Sequence, residues 1–457
     1  MIRPEAMGFL LKLFWIQQDN LLTEAFCLCH FVSVCATMIA AITIGCEGFR
    51  RDIMQQPFTL EPISKGGTIP AVAGEGIKLY DSDGNTYYDL SEISNVLGQK
   101  NAHFMRCLTA KLNDLVGGKL LESPEKRRFY QYLSETTGNR YQYVHLTSSG
   151  SEACEWAVRM ALKMTGRNEV LAFWNSIHGR TYLSASLSGM PRRKQGYAPA
   201  APGVLYGVYP DCAHCPFERD CDSCEFFCLK FLEQKMKYES SQEIGAVIAE
   251  AYQGAGIIVP PKGWLKALQD WAHRHGALFI LDEIQSGMGR TGKMYCFEEE
   301  GLDPDMLLLG KALGNGFPVG AALMKKIPDS YYQPALLGGA GDTELAYTAG
   351  CAVFEELLDN GMLEHIADVS AYLEEKLHAL QCQCPPVKTI CCKGLAASIE
   401  FRDPELFAAV QREAKEAGLI MGSGEHNKLV LRPPYVITKT DIDAVTAILQ
   451  QIIQNCQ

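Results

Sequence analysis

Short apolar runs without alternating polar residues recur through the middle of the chain, separated by longer stretches with helical periodicity. The runs EVLAFW, GAVIAEAY, GALFILDE and DMLLLG are of the first kind, whereas SEACEWAVRMALKMTG has apolar residues at helical spacing. Uninterrupted apolar runs of this length indicate strands buried on both faces, as in a parallel sheet covered by helices. The repeated strand–helix order therefore predicts an α/β domain with a mostly parallel sheet.

The pattern changes on both sides of this region. GEGIKLYDSDGNTYYDL alternates around Asp83 and Gly84, which predicts a hairpin. After about Leu336, helical stretches and the final KLVLRPPYVITKTDIDAVTAILQQII predict a smaller α+β unit that packs with the hairpin. The predicted parts are an N-terminal extension (1–53), the first part of a small domain (54–105), a large domain (106–335) with a Cys-rich insert (208–232), and the second part of the small domain (336–457).

An apolar segment over residues 25–46, AFCLCHFVSVCATMIAAITIGC, is long enough for a helix to cross a bilayer. Arg50 and Arg51 follow it, so a single-pass membrane anchor would leave the rest of the chain in the cytoplasm. Two alternatives remain open, a buried helix and translation that starts at Met54. In each case we expect the folded body to be cytoplasmic.

Composition narrows the class of protein. The chain has 457 residues, 47% of them apolar, which suffices for a large buried core. Its formal net charge is -11, and no stripe of Lys and Arg runs along it. Since binding to a nucleic-acid backbone requires clustered positive charge, nucleic acid is not expected as a partner.

Five of the 18 cysteines fall between Cys212 and Cys228, with His214 among them. Two Cys-x2-Cys pairs could bind a tetrahedral zinc, although the five residues between the pairs are fewer than in ordinary zinc ribbons. Reduced thiols in a surface insert and disulfides are the alternatives. We expect the insert to take no part in catalysis.

Charged side chains follow three of the predicted strands. Glu250 follows GAVIA, Asp282 follows GALFIL, and Lys311 follows DMLLLG, each directly. Ligands of parallel sheets bind at the carboxyl ends of the strands. A Lys at such a place is partly desolvated, which favours the neutral, nucleophilic amine that Schiff-base chemistry needs.

A fourth motif, Ser148-Ser149-Gly150-Ser151-Glu152-Ala153, directly precedes a predicted helix. Backbone N–H groups at a helix start, beside small hydroxyl residues, form a site for an anion such as phosphate. An ordinary helix cap would have the same residues.

The stretches SSGSEA, LDEIQSGMGRTG and LLLGKALGNGFPVGA occur in the order of a known family. Over nearly all of residues 58–455 the chain resembles the class III aminotransferases, which depend on pyridoxal 5'-phosphate (PLP) and have fold type I. The resemblance implies a three-layer PLP-transferase fold with a smaller α+β domain. It also implies transfer of an amino group between a primary amine or amino acid and a 2-oxo acid, in a homodimer with active sites at the subunit interface.

The resemblance assigns roles to individual residues. Lys311 would hold PLP as a Schiff base and move the proton, and Asp282 would pair with the pyridine nitrogen and keep it protonated. Arg432, in LRPPYVIT, would receive a substrate carboxylate, unless it is an ordinary surface or salt-bridged Arg. The other implied cofactor contacts are Gln285 near the ring hydroxyl, Glu250 supporting Asp282, His178 beside the ring, and Ser149, Gly150 and Ser151 at the phosphate. No metal ligand is assigned to this site.

Three positions depart from the family pattern. Ile177 stands where an aromatic ring usually stacks on the pyridine, so either cofactor binding is weaker or Trp174 or Tyr182 compensates. The Thr that reaches the partner subunit's phosphate is uncertain, with Thr343 favoured over Thr348. Ala255 replaces a Glu common in relatives with dicarboxylic or ω-amino substrates, which would leave Arg432 free in both half-reactions.

Two other functions are compatible with these residues. A PLP-dependent racemase or aminomutase would use the same cofactor without consuming a 2-oxo acid. A degenerate, non-catalytic PLP-fold binding protein would explain the changes at Ile177 and around Thr343.

Overall fold

The computed structural model describes residues 69–114, 122–196, 200–327 and 341–456. Ala71–Gln457 forms one compact unit. The predicted extension and its apolar segment lie outside the described residues. Of the helices that the structure describes, none is both long and apolar enough to cross a membrane.

The described chain begins with a meander of three strands followed by two helices. The strands are β1 (Ala71–Glu75), β2 (Lys78–Asp81) and β3 (Thr86–Asp89), and the helices are α1 (Ala102–Leu112) and α2 (Pro124–Thr136). β2 and β3 pair antiparallel, and between them the Asp81 carboxylate accepts the N–H groups of Asp83 and Asn85. The predicted hairpin is therefore confirmed.

A seven-stranded sheet forms the centre of the unit. Its strands in chain order are β4 (Tyr143–Thr147), β5 (Glu169–Phe173), β6 (Val204–Gly207), β7 (Ile244–Glu250), β8 (Leu278–Asp282), β9 (Met306–Leu309) and β10 (Gly320–Met324). In space the order is β4-β10-β9-β8-β7-β5-β6, and only β10 is antiparallel to its neighbours. Every residue of β5, β7 and β9 is buried, as the apolar runs predict.

Helices connect these strands and cover the sheet. They are α3 (Gly150–Thr165), α4 (Tyr182–Leu187), α5 (Phe227–Glu239) and α6 (Trp264–Arg274). The Ser149 hydroxyl caps α3 by accepting the N–H of Glu152, and Gly166 ends the helix with a φ of 68°. α3 packs across the sheet, and its apolar face is buried against β7, β8 and β9.

The C-terminal part contains four helices and five strands. They are α7 (Glu344–Leu358), α8 (Met362–Gln383), β11 (Val387–Lys393), β12 (Ala396–Phe401), α9 (Pro404–Glu416), β13 (Leu419–Ile420), β14 (Gly422–Gly424), β15 (Lys428–Leu431) and α10 (Lys439–Asn455). β11, β12, β15 and β14 form an antiparallel sheet, whereas β13 pairs parallel with β3. Strands from both ends of the compact unit thus share one sheet. The domain boundaries predicted at residues 105 and 335 remain predictions.

The register of the central sheet aligns the strand ends that carry charged residues. Glu250 at the end of β7 pairs with Asp282 at the end of β8, and Asp282 pairs with Leu308 in β9. Lys311 follows β9 by two residues. The three side chains therefore leave the sheet at one edge.

Candidate active site

A cavity of about 390 Å³ opens at this edge of the sheet. Its walls come from the ends of β7, β8 and β9, from the start of α3, and from the residues on either side of β15. It is lined by Lys311 together with Gly150, Ser151, Ile177, His178, Glu250, Asp282, Gln285 and Arg432. The structure thus brings all the predicted site residues into one cavity except Ser149 and Thr343.

Asp282 is buried in the cavity, and both of its carboxylate oxygens are hydrogen-bonded. Its Oδ2 lies 2.7 Å from His178 Nδ1, and its Oδ1 accepts the backbone N–H of Ile284 at 3.0 Å. The Cys154 thiol donates to Oδ2 at 3.6 Å. Burial, followed by the charge of Asp282, raises the pKa of Cys154 well above its usual value, so this thiol stays protonated and donates.

Glu250 tethers the loops around the cavity to the sheet. Its Oε1 accepts the N–H of Ile177 at 2.8 Å, and its Oε2 accepts the N–H of Gly254 at 2.9 Å. Burial raises the pKa of Glu250 to about 7, with His178 opposing and Asp282 adding to the shift. Both oxygens are occupied by backbone donors, so this carboxyl holds the loops in place.

Lys311 begins a short 3-10 turn, Lys311–Gly314, with a φ of 45°. This left-handed conformation is unfavourable for a residue with a side chain, and such strain concentrates at functional sites. Burial lowers the pKa of Lys311, while Asp282 and Glu250 oppose the shift. Desolvation thus favours a neutral amine at a place that the backbone holds under strain.

The start of α3 forms one end of the cavity. A Cβ on Gly150 would lie 2.8 Å from Ile284 Cδ1, so helix and side chain are in close contact only because residue 150 is a glycine. The Ser151 hydroxyl accepts the N–H of Arg180 at 3.1 Å. First-turn N–H groups and the Ser151 hydroxyl therefore surround a space suited to an anion.

Four buried polar atoms of residues that line the cavity have no partner among the described residues: His178 Nε2, Arg193 Nε, Gln285 Oε1 and Arg432 Nε. The Arg432 side chain makes one hydrogen bond, from Nη1 to the Gly254 carbonyl at 3.3 Å, and burial lowers its pKa. Buried polar groups are normally paired, so unpaired ones facing a cavity indicate a polar ligand.

Comparison with known proteins identifies the family. A profile described as Aminotransferase class-III matches residues 64–453. The chain belongs to the class III aminotransferases. It is 32% identical to the acetylornithine aminotransferase of Bacillus subtilis, over 83% of this chain and 93% of that protein. It is 28% identical to the leucine/methionine racemase of Thermococcus litoralis, over 82% and 88%.

Solved structures agree on the fold of this aminotransferase. An amine transaminase from an uncultivated Pseudomonas species, in its PLP-bound form, superposes with a TM-score of 0.79 at 24% identity. The match covers 88% of this chain and 99% of that chain. The predicted α/β PLP-transferase fold is confirmed.

PLP is the cofactor of this aminotransferase, and the cavity fits it. Lys311 offers an amine, Asp282 a buried carboxylate, and the start of α3 an anion site. Gln285 Oε1, which is buried and has no partner among the described residues, can accept a hydrogen bond from the ring hydroxyl. These groups match the aldehyde, the ring nitrogen and the phosphate of PLP.

The structure shows where the residues that depart from the family pattern lie. Ile177 lines the cavity, whereas Trp174 and Tyr182 do not and are 46% and 59% exposed, so neither replaces the missing aromatic contact within the chain. Thr343 caps α7 and accepts the N–H of Ala346 at 3.2 Å, which leaves its hydroxyl proton free. Thr348 instead donates to the Glu344 carbonyl of the same helix.

The Cys-rich insert follows β6 and runs into the start of α5. All five of its cysteines are free and line one narrow cleft, in which the sulfur atoms of Cys212 and Cys221 are 2.9 Å apart. Burial and the neighbouring thiols raise the pKa of Cys212. Among the described residues, the clusters with metal-ligand spacing include none of these five cysteines, but Asp211 and His214 of the insert form one such cluster with His426. None of the five residues lines the Lys311 cavity.

Several contacts and residues of the site were not predictable from the sequence. The His178–Asp282 contact spans 104 residues of chain, and the Cys154–Asp282 contact spans 128. Arg180, Arg192 and Arg193 also line the cavity. The run PRRK was a visible signal for the last two, but without the fold nothing tied it to Lys311.

Proposed function

We propose that Lys311 is the amine that binds PLP and moves the proton during transamination between a primary amine or amino acid and a 2-oxo acid. The observation that carries this proposal is the convergence of a strained, desolvated Lys311 with the buried Asp282 in one cavity. PLP supplies the aldehyde that condenses with amines and a ring that accepts electrons from the breaking bond. The residues of the chain supply orientation, charge and proton transfer.

Each residue has a distinct task in this proposal. Asp282 is held by His178 and by the Ile284 N–H, so its carboxylate is fixed where it can keep the ring nitrogen protonated. The amine of Lys311, once displaced by the substrate amine, takes the proton from the carbon that bears the substrate nitrogen. Ser149, Gly150 and Ser151 bind the phosphate at the start of α3.

Arg432 is proposed to bind the substrate carboxylate. Arg432 lines the cavity, and its Nε is buried with no partner in the part of the chain that the structure describes. Ala255 lines the same cavity and carries no charge, so it cannot hold Arg432 in an ion pair during either half-reaction. A bidentate guanidinium–carboxylate pair would satisfy the free donor.

The test of Lys311 is covalent trapping. PLP-loaded protein treated with borohydride should carry the label on Lys311 in peptide maps, and Lys311→Ala should abolish both label and amino transfer. Lys325→Ala, at a lysine paired with Asp303 just after β10, is the matched control and should retain both. A label on another lysine would refute the assignment.

We also propose that the enzyme is a homodimer and that Thr343 reaches the partner subunit's phosphate. The free hydroxyl proton of Thr343 at the start of α7 supports this role. Exposed apolar side chains on α1, Met105 at 53% and Leu112 at 60%, offer surface for a second subunit.

We propose that the enzyme lies in the cytoplasm. If residues 25–46 form a membrane anchor, Arg50 and Arg51 would keep the residues that follow them on the cytoplasmic side. Cell fractionation with N-terminal sequencing of the product tests this and shows whether residues 1–53 are present. Activity confined to an extracytoplasmic fraction would refute it.

Racemisation is the second candidate because one relative is a leucine/methionine racemase. A racemase exchanges the proton of one amino acid and consumes no acceptor. Loss of optical rotation without added 2-oxo acid would favour it, whereas strict dependence on an acceptor such as pyruvate or 2-oxoglutarate would favour amino transfer.

A further inference from the structure

Two histidine rings lie face to face where the Cys-rich insert meets the C-terminal part of the chain. His214 ends the 3-10 turn Cys212–His214, and His426 lies in the turn between β14 and β15. Their ring centroids are 3.8 Å apart, and the ring planes differ by 5°. One ligand atom from each histidine and one from Asp211 all lie within 4.8 Å of one another. The cluster therefore joins segments that are far apart in the sequence.

His214 lies between two carboxylates. Its Nδ1 is 3.1 Å from Asp211 Oδ2, and its Nε2 is 3.0 Å from Glu400 Oε1. A neutral imidazole has one N–H group and one nitrogen lone pair, so it can donate to only one of the two carboxylates. The other contact brings a lone pair against a carboxylate oxygen. A cation, either a second proton or a metal ion, is needed to bridge that contact.

Glu400 is placed to receive the N–H group of His214. It lies in β12, is 3% exposed, and its Oε1 also accepts a hydrogen bond from Lys388 Nζ at 2.6 Å. Its Oε2 is buried and has no partner in the part of the chain that the structure describes. A carboxylate that accepts one ring N–H leaves the other ring nitrogen as a lone pair, and this arrangement orients histidines that bind metals. Nδ1 is then the nitrogen that faces Asp211.

We propose that Asp211, His214 and His426 bind a divalent transition-metal ion, with Zn²⁺ as the best fit, and that Glu400 holds His214 in the ligating tautomer. Two imidazole nitrogens and a carboxylate oxygen are ligands that zinc accepts, and water can complete the tetrahedron. Ligand atoms on one zinc ion lie about 3.4 Å apart, close to the 3.1 Å between His214 Nδ1 and Asp211 Oδ2. His426 is exposed, so an ion can enter from solvent.

The proposed ion has a structural role. None of its three ligands lines the Lys311 cavity, so the ion takes no part in the chemistry of PLP. It fastens the insert to the turn between β14 and β15, and it thereby stabilises the folded chain by the free energy of its binding. The inference does not depend on the proposed amino transfer, and its test needs no turnover.

The experiment titrates the full-length, PLP-loaded enzyme with Zn²⁺ alone, after treatment with a chelator and with its thiols reduced. Calorimetry should show one equivalent of Zn²⁺ whose affinity falls about tenfold or more in His426→Gln and in Asp211→Asn. Glu400→Gln should weaken the same equivalent by about tenfold, because it acts through His214. His378→Gln is the matched control, at a half-exposed histidine of α8 near Glu374, and should bind as the wild type does.

The neighbouring cysteines are the competing ligands, and Co²⁺ distinguishes them. Thiolate ligands give Co²⁺ a strong charge-transfer absorbance in the near ultraviolet, whereas nitrogen and oxygen ligands do not. The Co²⁺ equivalent that His426→Gln weakens should lack this absorbance and should persist in Cys212→Ser with Cys221→Ser. Metal binding that the cysteine variant abolishes and His426→Gln leaves unchanged would overturn the proposal.

Thermal melts provide a second measurement. Zn²⁺ should raise the melting temperature of the wild type and of His378→Gln, and it should not raise that of His426→Gln. The melting temperature of metal-free His426→Gln shows whether this variant, altered at an exposed ring, is folded. Absence of saturable Zn²⁺ binding by the wild type would also overturn the proposal, and a second proton on His214 would then bridge the two carboxylates.

Discussion

Desolvation is the largest influence on the charged residues at the edge of the sheet. It lowers the pKa of Lys311 and raises the pKa of Glu250 to about 7. It also raises the pKa of the adjacent Glu283 to about 8, although Glu283 accepts the N–H groups of Cys296 and Phe297, both at 2.7 Å. A neutral Lys311 can act as a nucleophile because the sheet end excludes water.

The raised pKa of Glu283 predicts that the free energy of unfolding depends on pH. Its folded pKa of about 8 lies above its ordinary value of 4.5, so the folded state keeps the proton that the unfolded state releases. The contribution to stability is therefore complete below pH 4.5 and falls as pH rises to about 8, by at most about 1.4 kcal/mol per pH unit. Thermal melts of the PLP-free protein from pH 6 to 8.5 should show this loss.

The variant Glu283→Gln should flatten this slope. It should also be less stable at pH 6 by about 1–3 kcal/mol, because the amide can accept only one of the two backbone N–H groups. Glu416→Gln on the exposed face of α9 is the control and should keep the wild-type slope. An unchanged slope in Glu283→Gln would show that other groups cause the loss.

Single residues of the site differed in how predictable they were. Lys311 and Asp282 could be predicted because each follows an apolar run in a recognisable motif. The His178–Asp282 pair could not, because two residues far apart in sequence meet only after β5 and β8 join the sheet. Ile177 was noted as unusual, but only the structure shows that Trp174 and Tyr182 lie outside the cavity.

Among the elements, the start of helix α3 depends on one contact. Gly150 lets the first turn of α3 lie directly against Ile284, which follows β8. Ile284 belongs to the apolar core between α3 and the sheet, so it cannot easily move away. The position of the anion site relative to Asp282 is thus set by a glycine–isoleucine contact.

This contact predicts the effect of Gly150→Ala. The new methyl would lie 2.8 Å from Ile284 Cδ1 and push the helix start away from the cavity. We expect PLP to bind about tenfold more weakly, with little loss of thermal stability, because alanine favours helix. Absorbance titration with PLP measures the affinity.

The compensating change is Ile284→Ala, which removes Cδ1, Cγ2 and Cγ1, the three atoms that would lie 2.8, 2.9 and 3.2 Å from the new methyl. The double variant should recover most of the PLP affinity, and Ile284→Ala alone should bind PLP nearly as the wild type does. Equal weakening in the single and double variants would show that Gly150 acts through its backbone freedom instead.

The elements themselves were largely predictable. The four apolar runs became β5, β7, β8 and β9, since buried parallel strands need no polar alternation. β10 was not predicted as a strand, although its residues lie in a recognised motif, and its antiparallel direction depends on the connection after Gly314. The direction of a strand and its neighbours in the sheet depend on the whole sheet, so a local sequence pattern does not specify them.

The whole molecule brings residues from both ends of the described chain to the site. The N–H of Arg432 donates to the Leu90 carbonyl at 2.6 Å, and β13 extends the sheet that begins with β1. Arg432 is thereby fixed beside a cavity whose other walls come from the central sheet. Removal of the segment before β4 should therefore disturb substrate binding as well as stability.

The proposed role of Thr343 in a dimer makes a prediction at this scale. Chains with Lys311→Ala and chains with Thr343→Ala should each be strongly impaired alone. When the two are refolded or coexpressed together, mixed dimers contain one site with both wild-type residues, so activity should return to roughly a quarter of the wild-type value for random pairing. Activity of the unfractionated mixture is the measurement, and purified mixed dimers should reach about half of the wild-type value.

The control is a mixture of Lys311→Ala with Asp282→Asn. Both residues belong to one subunit's cavity, but the mixed dimer pairs a chain lacking one with a chain lacking the other, so neither site is intact. No recovery is expected there. Absence of recovery with Thr343→Ala as well would show that Thr343 does not act across the interface.

The sequence by itself determined the family, the cofactor, the buried parallel strands and the lysine and aspartate that define the chemistry. These depend on residue types and spacings that are local along the chain, where side-chain periodicity and motif composition are visible. Only the tertiary structure decided that His178 holds Asp282, that Arg432 Nε has no partner among the described residues, and that Arg192 and Arg193 line the same cavity. Such contacts join segments that are far apart in the sequence. Their burial, and the low dielectric that strengthens their electrostatic interactions, arise only when the protein has folded.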